Sequence, residues 1–287
     1  VAVGTEVVGI VGLTLLLLIA GAVRGLLHPD HLFSTGVVSS NNYFTFGGLN
    51  SAGPFMLSFL LGAFTIVGFE AAANLAEETR DAHRVVPVAM WFSVVLSGIV
   101  GFAFLIALNL ASGDIKALSA SATPVADIVT QMLGPIIGGI FLVLVTFSIF
   151  ACGLVIFITA TRLTWAMARD QRFPGYQLFR QVNPSTGTPV AATILLGVLI
   201  EVVLAIFAYQ PNALTNLFSA ATLLPAIIYL ATVLLYVAAR RKLPQTHGFS
   251  LGAFEWPIIV LSIIWLLFEL SIFRDASFAS PWLYTIV

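Results

Sequence analysis

Few side chains in this 287-residue chain could do chemistry, and several of them are carboxylates set in apolar surroundings. Glu70 stands in the run Phe64-Thr65-Ile66-Val67-Gly68-Phe69-Glu70-Ala71-Ala72-Ala73-Asn74-Leu75-Ala76-Glu77-Glu78. At mid-membrane depth an acid costs at least ~2.5 kcal/mol, so it needs a wet cavity or a partner. Gly68 lowers the helical preference just before it. Ala71, Ala72 and Ala73 just after it permit close approach of another helix. Helix ends inside a bilayer leave backbone groups free, and such groups survive where they line a cavity or hold a ligand. A carbonyl end offers partial negative charge to a cation such as an ammonium. The reading is therefore a helix broken at Gly68–Glu70, whose free backbone groups line a cavity or hold a ligand such as a cation.

The other candidates are weaker. Glu201 and Glu269 fall inside apolar runs, and their roles stay open between a subunit contact, a lipid-facing protonated acid and a bundle contact. Arg162 lies near a helix end, where snorkelling or pairing with a carboxylate accounts for it. Ser148, Cys152 and Gly153, and further on Ser219 and Thr222, are small residues that could line a cavity or simply pack helices. Cys152, the single cysteine, excludes an internal disulfide and is expected to be a buried small residue. His28-Pro29-Asp30-His31 has the look of a metal motif, yet proline disfavours a helix face there and no third ligand is visible. No metal and no cofactor is expected. No Gly-Lys-Ser/Thr phosphate loop occurs, which argues against ATP drive within this chain.

These residues must be positioned by membrane helices. Apolar residues make up 59% of the chain and charged ones 9%, against roughly 25% charged in a soluble domain. That composition excludes a water-soluble enzyme and a disordered chain. Lys plus Arg is 12 and Asp plus Glu 13, so no basic excess exists to attract a nucleic acid. About 20 apolar residues cross ~30 Å of hydrocarbon. Runs of that kind are read at 7–23, 53–76, 87–111, 135–168, 189–208, 214–239 and 252–273, with an eighth starting at 281 and cut off at 287. They lack the alternating polarity of barrel strands, so the expected class is an all-α polytopic membrane protein forming a single transmembrane domain.

Basic residues orient the runs. Arg80 and Arg84, then Arg169, Arg172 and Arg180, then Arg240, Arg241 and Lys242 fall in alternate connections, which are read as cytoplasmic. The opposite connections hold Arg24, Lys116 and Arg274. Leu26 to Ala52 reads as a long outer connection. Ser119 to Leu133 reads as one short amphipathic helix at the outer surface. The chain opens at Val1 without a leader and stops inside an apolar stretch. It is expected to be an internal portion of a longer protein.

The run from Phe64 to Glu78 resembles the sixth helix of the amino acid–polyamine–organocation permeases, where an aromatic, three residues and Gly-Phe-Glu/Asp lead to small residues and Glu-Glu. Asp81 to Pro87 is similar to the cytoplasmic turn that follows. Ala160-Thr-Arg162-Leu-Thr-Trp165-Ala-Met-Ala-Arg169-Asp170-Gln-Arg-Phe-Pro174 resembles the family's eighth-helix end, with Gln171 in place of a glycine. Phe179 to Pro189 is similar to the segment before the ninth helix. The resemblance covers nearly the whole chain, as helices five to twelve, and implies an incomplete inverted-repeat (5+5) transporter bundle without its first four helices.

The resemblance implies a site. Phe64 matches the aromatic that caps the solute from outside. The carbonyls of Phe64 and Val67 are inferred amine acceptors, with Gly68, Phe69 and Glu70 completing the segment, though Phe69 could equally pack. Glu70 is a coupling candidate. Relatives carry a proton-linked lysine near the start of the fifth helix, so Glu6 is another; a cation ligand or an interfacial acid are the alternatives there. The implied function is secondary active transport of an amino acid by alternating access, coupled to protons or to a counter-substrate, in the plasma membrane. A carrier of polyamine, choline or another small amine is the alternative, and a non-transporting sensor or a non-functional fragment is the alternative of another class. An intramembrane enzyme is not expected, because no histidine lies inside an apolar run. Phe64, Ile66 and Phe69 lean towards neutral or apolar solutes.

Overall fold

The structure, a computed structural model, describes residues 2–39, 43–48, 51–208, 213–242, 249–275 and 278, without the side chains of residues 2, 3, 5, 6, 8, 78, 207, 213–216, 218 and 219. In chain order the α-helices are α1 (Ala2–Arg24), α2 (Pro54–Thr65), α3 (Ala71–Asn74), α4 (Ala82–Ala111), α5 (Ile115–Ala120), α6 (Pro124–Leu133), α7 (Pro135–Arg169), α8 (Tyr176–Phe179), α9 (Val190–Phe207), α10 (Ala213–Ala239) and α11 (Glu255–Ile272). Short 3-10 turns occupy Pro29–Phe33, Ala76–Glu78 and Gly252–Phe254.

Prolines open α2, α6 and α7, where the missing N–H is one that no carbonyl of the helix would have used. Among the described residues four helical stretches are long and apolar enough to cross a membrane: Ala82–Ala111, Pro135–Arg169, Ala220–Ala239 and Gly252–Ile272. Gly9–Arg24, Pro54–Thr65 and Val190–Ile206 are shorter apolar helices. Large apolar side chains such as Ile136, Ile149 and Phe150 of α7 and Leu261 of α11 point outward. Lipid is the solvent that makes such a surface stable. This is an all-α polytopic membrane protein. The eighth run, from 281, lies outside the described residues.

The chain divides into two compact units. The first combines residues 1–43 with 94–156. Its core joins Leu13 and Leu17 of α1 to Ala107, Leu108 and Ala111 of α4 and to Ile128, Val129 and Met132 of α6. Arg24 caps α6 by donating from Nη1 to the Met132 carbonyl at 2.7 Å. The stretch read as one surface helix over Ser119 to Leu133 is instead two helices, α5 and α6. Residues 121–123 break it, with the Ser121 hydroxyl bonded to the Asp127 carboxylate.

Asp114 caps α5, its Oδ1 accepting from the backbone N–H of Lys116 at 2.9 Å and of Ala117 at 3.3 Å. Replacing a capping acid by alanine costs about 1 kcal/mol, and asparagine retains the cap. Asp114→Ala is therefore expected to speed amide exchange over residues 115–120, and Asp114→Asn to leave it unchanged.

Proline does not keep His28, Asp30 and His31 apart. Pro29 starts the 3-10 turn, and potential ligand atoms of the three residues lie within 4.8 Å of one another. Asp30 thus supplies the third donor that the sequence reading did not find. His31 Nδ1 bonds Ser112 Oγ at 2.9 Å, and the two imidazoles stack at 4.9 Å. Cys152 is exposed on α7, not buried as expected. An exterior face of a lipid-embedded helix accepts a small apolar side chain as readily as a core does.

The second unit combines residues 44–93 with 157–287. In it α2, α10 and α11 pack on one another. Met56 of α2 meets Ile272 of α11, and Phe59 packs edge-on against Phe268 at 5.4 Å. The polar end of this contact is also closed. Asp275 Oδ2 accepts from the Ala52 N–H at 2.8 Å, and Arg274 Nη2 donates to the Phe46 carbonyl at 2.6 Å.

Candidate functional site

Helix α2 stops at Thr65, and the chain does not regain helical geometry until Ala71. The Ile66 N–H makes the last bond of the helix, to the Gly62 carbonyl at 3.1 Å. Ile66 itself has already turned to φ −106°, ψ 27°. Gly68 then takes φ +95°, a region closed to side chains that carry a Cβ. No atom lies within 4 Å of where that Cβ would stand, so glycine is required here by its backbone and not by crowding. A helix ending in this way leaves its last carbonyls without intrahelical donors.

Glu70 sits after the break and is partly buried. Its carboxylate accepts the Tyr229 hydroxyl at 2.5 Å, a short bond of the charge-assisted kind. Phe69 lies against the same tyrosine, ring centroids 5.1 Å apart. The Gly68 backbone also interacts with the Tyr229 hydroxyl. Tyr229 belongs to α10, one turn beyond Pro225. So one residue of a distant helix holds Gly68, Phe69 and Glu70 together. Sequence reasoning missed Tyr229, because a tyrosine in an apolar run gives no sign of which carboxylate it meets.

The remaining expected site residues are placed as follows. Phe64 and Val67 flank the break and are 47% and 37% exposed, so the segment is open on that side. Thr222 is buried in α10. Ser148 and Cys152 lie on the part of α7 that belongs to the first unit. The side chains of Ser219 and Glu6 lie outside the described residues. Glu201 is exposed on α9, and Glu269 is buried on α11. A separate cleft of about 640 Å³ at the far end of α10 is lined by Val237, Ala238, Arg240, Arg241 and Trp256 and contains none of these residues.

Below the break a second contact ties the run to α7. Arg169 reaches both oxygens of Glu77, at 2.5 and 2.7 Å, and also lies over the Trp165 ring. The two hydrogen bonds from the guanidinium hold the Glu77 carboxyl below its ordinary value. A carboxyl lowered in the folded state contributes stability that is complete above the unfolded pKa and lost as pH falls through the folded one. Glu77→Gln is thus expected to lower the thermal midpoint at neutral pH. The difference from wild type should shrink as pH falls below the ordinary glutamate range and vanish once it has passed the lowered value of the folded state, where both chains are uncharged at this position.

Residues 2–286 match the family described as amino acid permease. Curated relatives include a choline transporter of Saccharomyces cerevisiae, 28% identical over 79% of this chain and 41% of the relative. A polyamine transporter of the same yeast is 27% identical over 75% of the chain and 36% of the relative. An amino-acid permease of Arabidopsis thaliana is 27% identical over 74% and 43%. The chain spans about two-fifths of the length of these relatives.

Proposed function

Because this chain belongs to the amino acid permease family, we propose that the full-length protein is a secondary transporter for an amino acid or a related small amine. Residues 66–70 form one half of its solute site. The observation that carries the reading is the glycine-dependent break with Glu70 fixed beside it by Tyr229. Exposed peptide carbonyls and an oriented carboxylate together suit a positively charged nitrogen. The other half of the site belongs to the broken first helix, which the resemblance places before this chain. The bundle rocks against a scaffold in alternating access, within one transmembrane domain built as inverted repeats in the plasma membrane. Glu70 takes part in coupling, to protons or to a counter-substrate.

A second reading, carriage of choline or a polyamine, draws on two of the relatives and on the acidity of the site. Uptake of labelled solutes into vesicles holding the full-length protein tests both. Saturable uptake competed by amino acids supports the first reading, and competition by choline or spermidine alone supports the second. Uptake that is indifferent to a pH gradient and needs no counter-solute rejects both modes of coupling.

A further inference from the structure

The turn after α1 brings two imidazoles and a carboxylate together, and the function proposed above makes no use of them. Pro29 fixes φ at the start of the 3-10 turn Pro29–Phe33, and His28 is its N-cap. In a 3-10 turn residues three apart lie directly above one another. His28 and His31 have that spacing, and their rings accordingly stack, with centroids 4.9 Å apart and planes 18° from parallel. Asp30 places its Oδ2 at 3.7 Å from His31 Nε2. One potential ligand atom from each of the three residues lies within 4.8 Å of the others.

The turn is anchored to the end of α4, within the same compact unit. The His28 N–H donates to the Leu110 carbonyl at 2.8 Å. Buried Ser112 meets His31 Nδ1 through its Oγ at 2.9 Å. The Ser112 hydroxyl has one proton and donates it to the Asn109 carbonyl at 2.7 Å. Its oxygen therefore accepts from His31, so Nδ1 carries the hydrogen. In the neutral imidazole the lone pair then resides on Nε2, the nitrogen beside Asp30. A ring whose other nitrogen donates to a fixed oxygen is how proteins orient a metal-binding histidine. The His31 side chain is 14% exposed and held in place, whereas that of Asp30 is 77% exposed and free to rotate.

We propose that His28, Asp30 and His31 form a binding site for a divalent transition cation of the zinc type. Two imidazole nitrogens and one carboxylate oxygen make a three-ligand zinc set, with water in the fourth place. Calcium and magnesium call instead for shells of oxygen donors. Zinc ligands lie ~2.0–2.2 Å from the metal, which sets them ~3.3–3.6 Å apart in a tetrahedron. The 3.7 Å between His31 and Asp30 is already close to that, and side-chain rotation closes the remainder. A bound cation fixes the turn and, through His31 and Ser112, ties it to the end of α4. The proposal does not depend on the transport reading.

Calorimetric titration of zinc chloride into the full-length protein tests it, with the protein purified on a tag that contains no histidine and stripped with a chelator. The expected result is a binding event that His28→Gln and His31→Gln each abolish and that Asp30→Asn weakens at least about tenfold. Ser112→Ala, which removes the group that orients His31, should weaken it about 10–100-fold. His83→Gln, outside the cluster, should leave it unchanged. Cobalt(II) in place of zinc should give the intense visible absorption of a four-coordinate site in the wild type and lose it in His31→Gln. Zinc should also raise the thermal midpoint of the wild type and not that of Asp30→Asn, whose exposed side chain can change without loss of the fold. Zinc binding that does not depend on His28 and His31, or magnesium binding as tight as zinc at the same residues, overturns the proposal. Zinc binding undiminished in both Asp30→Asn and Ser112→Ala is that of a surface histidine pair only, and overturns it too. Should a histidine variant fail to fold, those two variants decide.

Discussion

Glu70→Gln lowers solute uptake by the full-length permease at least about tenfold while its abundance in the membrane stays at the wild-type level. Glutamine keeps the size of the side chain, and its amide oxygen still accepts the Tyr229 hydroxyl. The substitution therefore removes the negative charge and little else. A charge-assisted bond is roughly twice as strong as a neutral one, and hydrogen bonds to charged groups contribute about 1.5–3 kcal/mol. About 1.4 kcal/mol already corresponds to tenfold in an equilibrium constant. Tyr229→Phe gives the complementary result. It leaves the carboxylate in place without its donor, so uptake falls although the charge remains. The checks are initial uptake rates normalised to protein in the vesicle membrane, and their pH profile. A wild-type rate and pH profile in Glu70→Gln would remove Glu70 from the solute site.

Gly68→Ala gives the second large effect, and Gly62→Ala is its control. An added Cβ has open space at both positions. What differs is the backbone. Gly62 is inside α2, where alanine is favoured by about 0.5–1 kcal/mol. Gly68 has φ +95°, where an L side chain costs about 1–3 kcal/mol. The expected outcome is a lowered thermal midpoint and reduced uptake for Gly68→Ala, with neither loss for Gly62→Ala. Because steric crowding is absent in both, the contrast isolates the conformational requirement of the break. An unchanged midpoint and unchanged uptake in Gly68→Ala would mean that the segment refolds as continuous helix without consequence, and the site would lose its physical basis.

Much of the site was legible because its signal is local. Gly68 two residues before an acid, followed by three alanines, reports where a helix is weak and where a neighbour can approach. Arg169 and Glu77 were each visible, but their pairing was not, since 92 positions separate them. The short surface helix was read as one element because Ser121 and Thr123 give only weak helix-breaking signals. Cys152 was misplaced because interior and lipid-facing positions have the same apolar composition, so hydropathy cannot tell one side of a membrane helix from the other.

The amino-acid sequence alone determined the class of molecule, its apolar helices and the place where one of them fails. These depend on hydrophobic length and on backbone preferences, which act over a few residues. Tertiary structure alone decided which groups surround the failure. Tyr229 was selected as the partner of Glu70 by the packing of α10 against α2, and Glu269 was turned inward by the face that α11 presents to both. Side-chain partnership across helices depends on rotation about each helix axis, and a nearly uniform apolar sequence leaves that rotation undetermined until the helices meet.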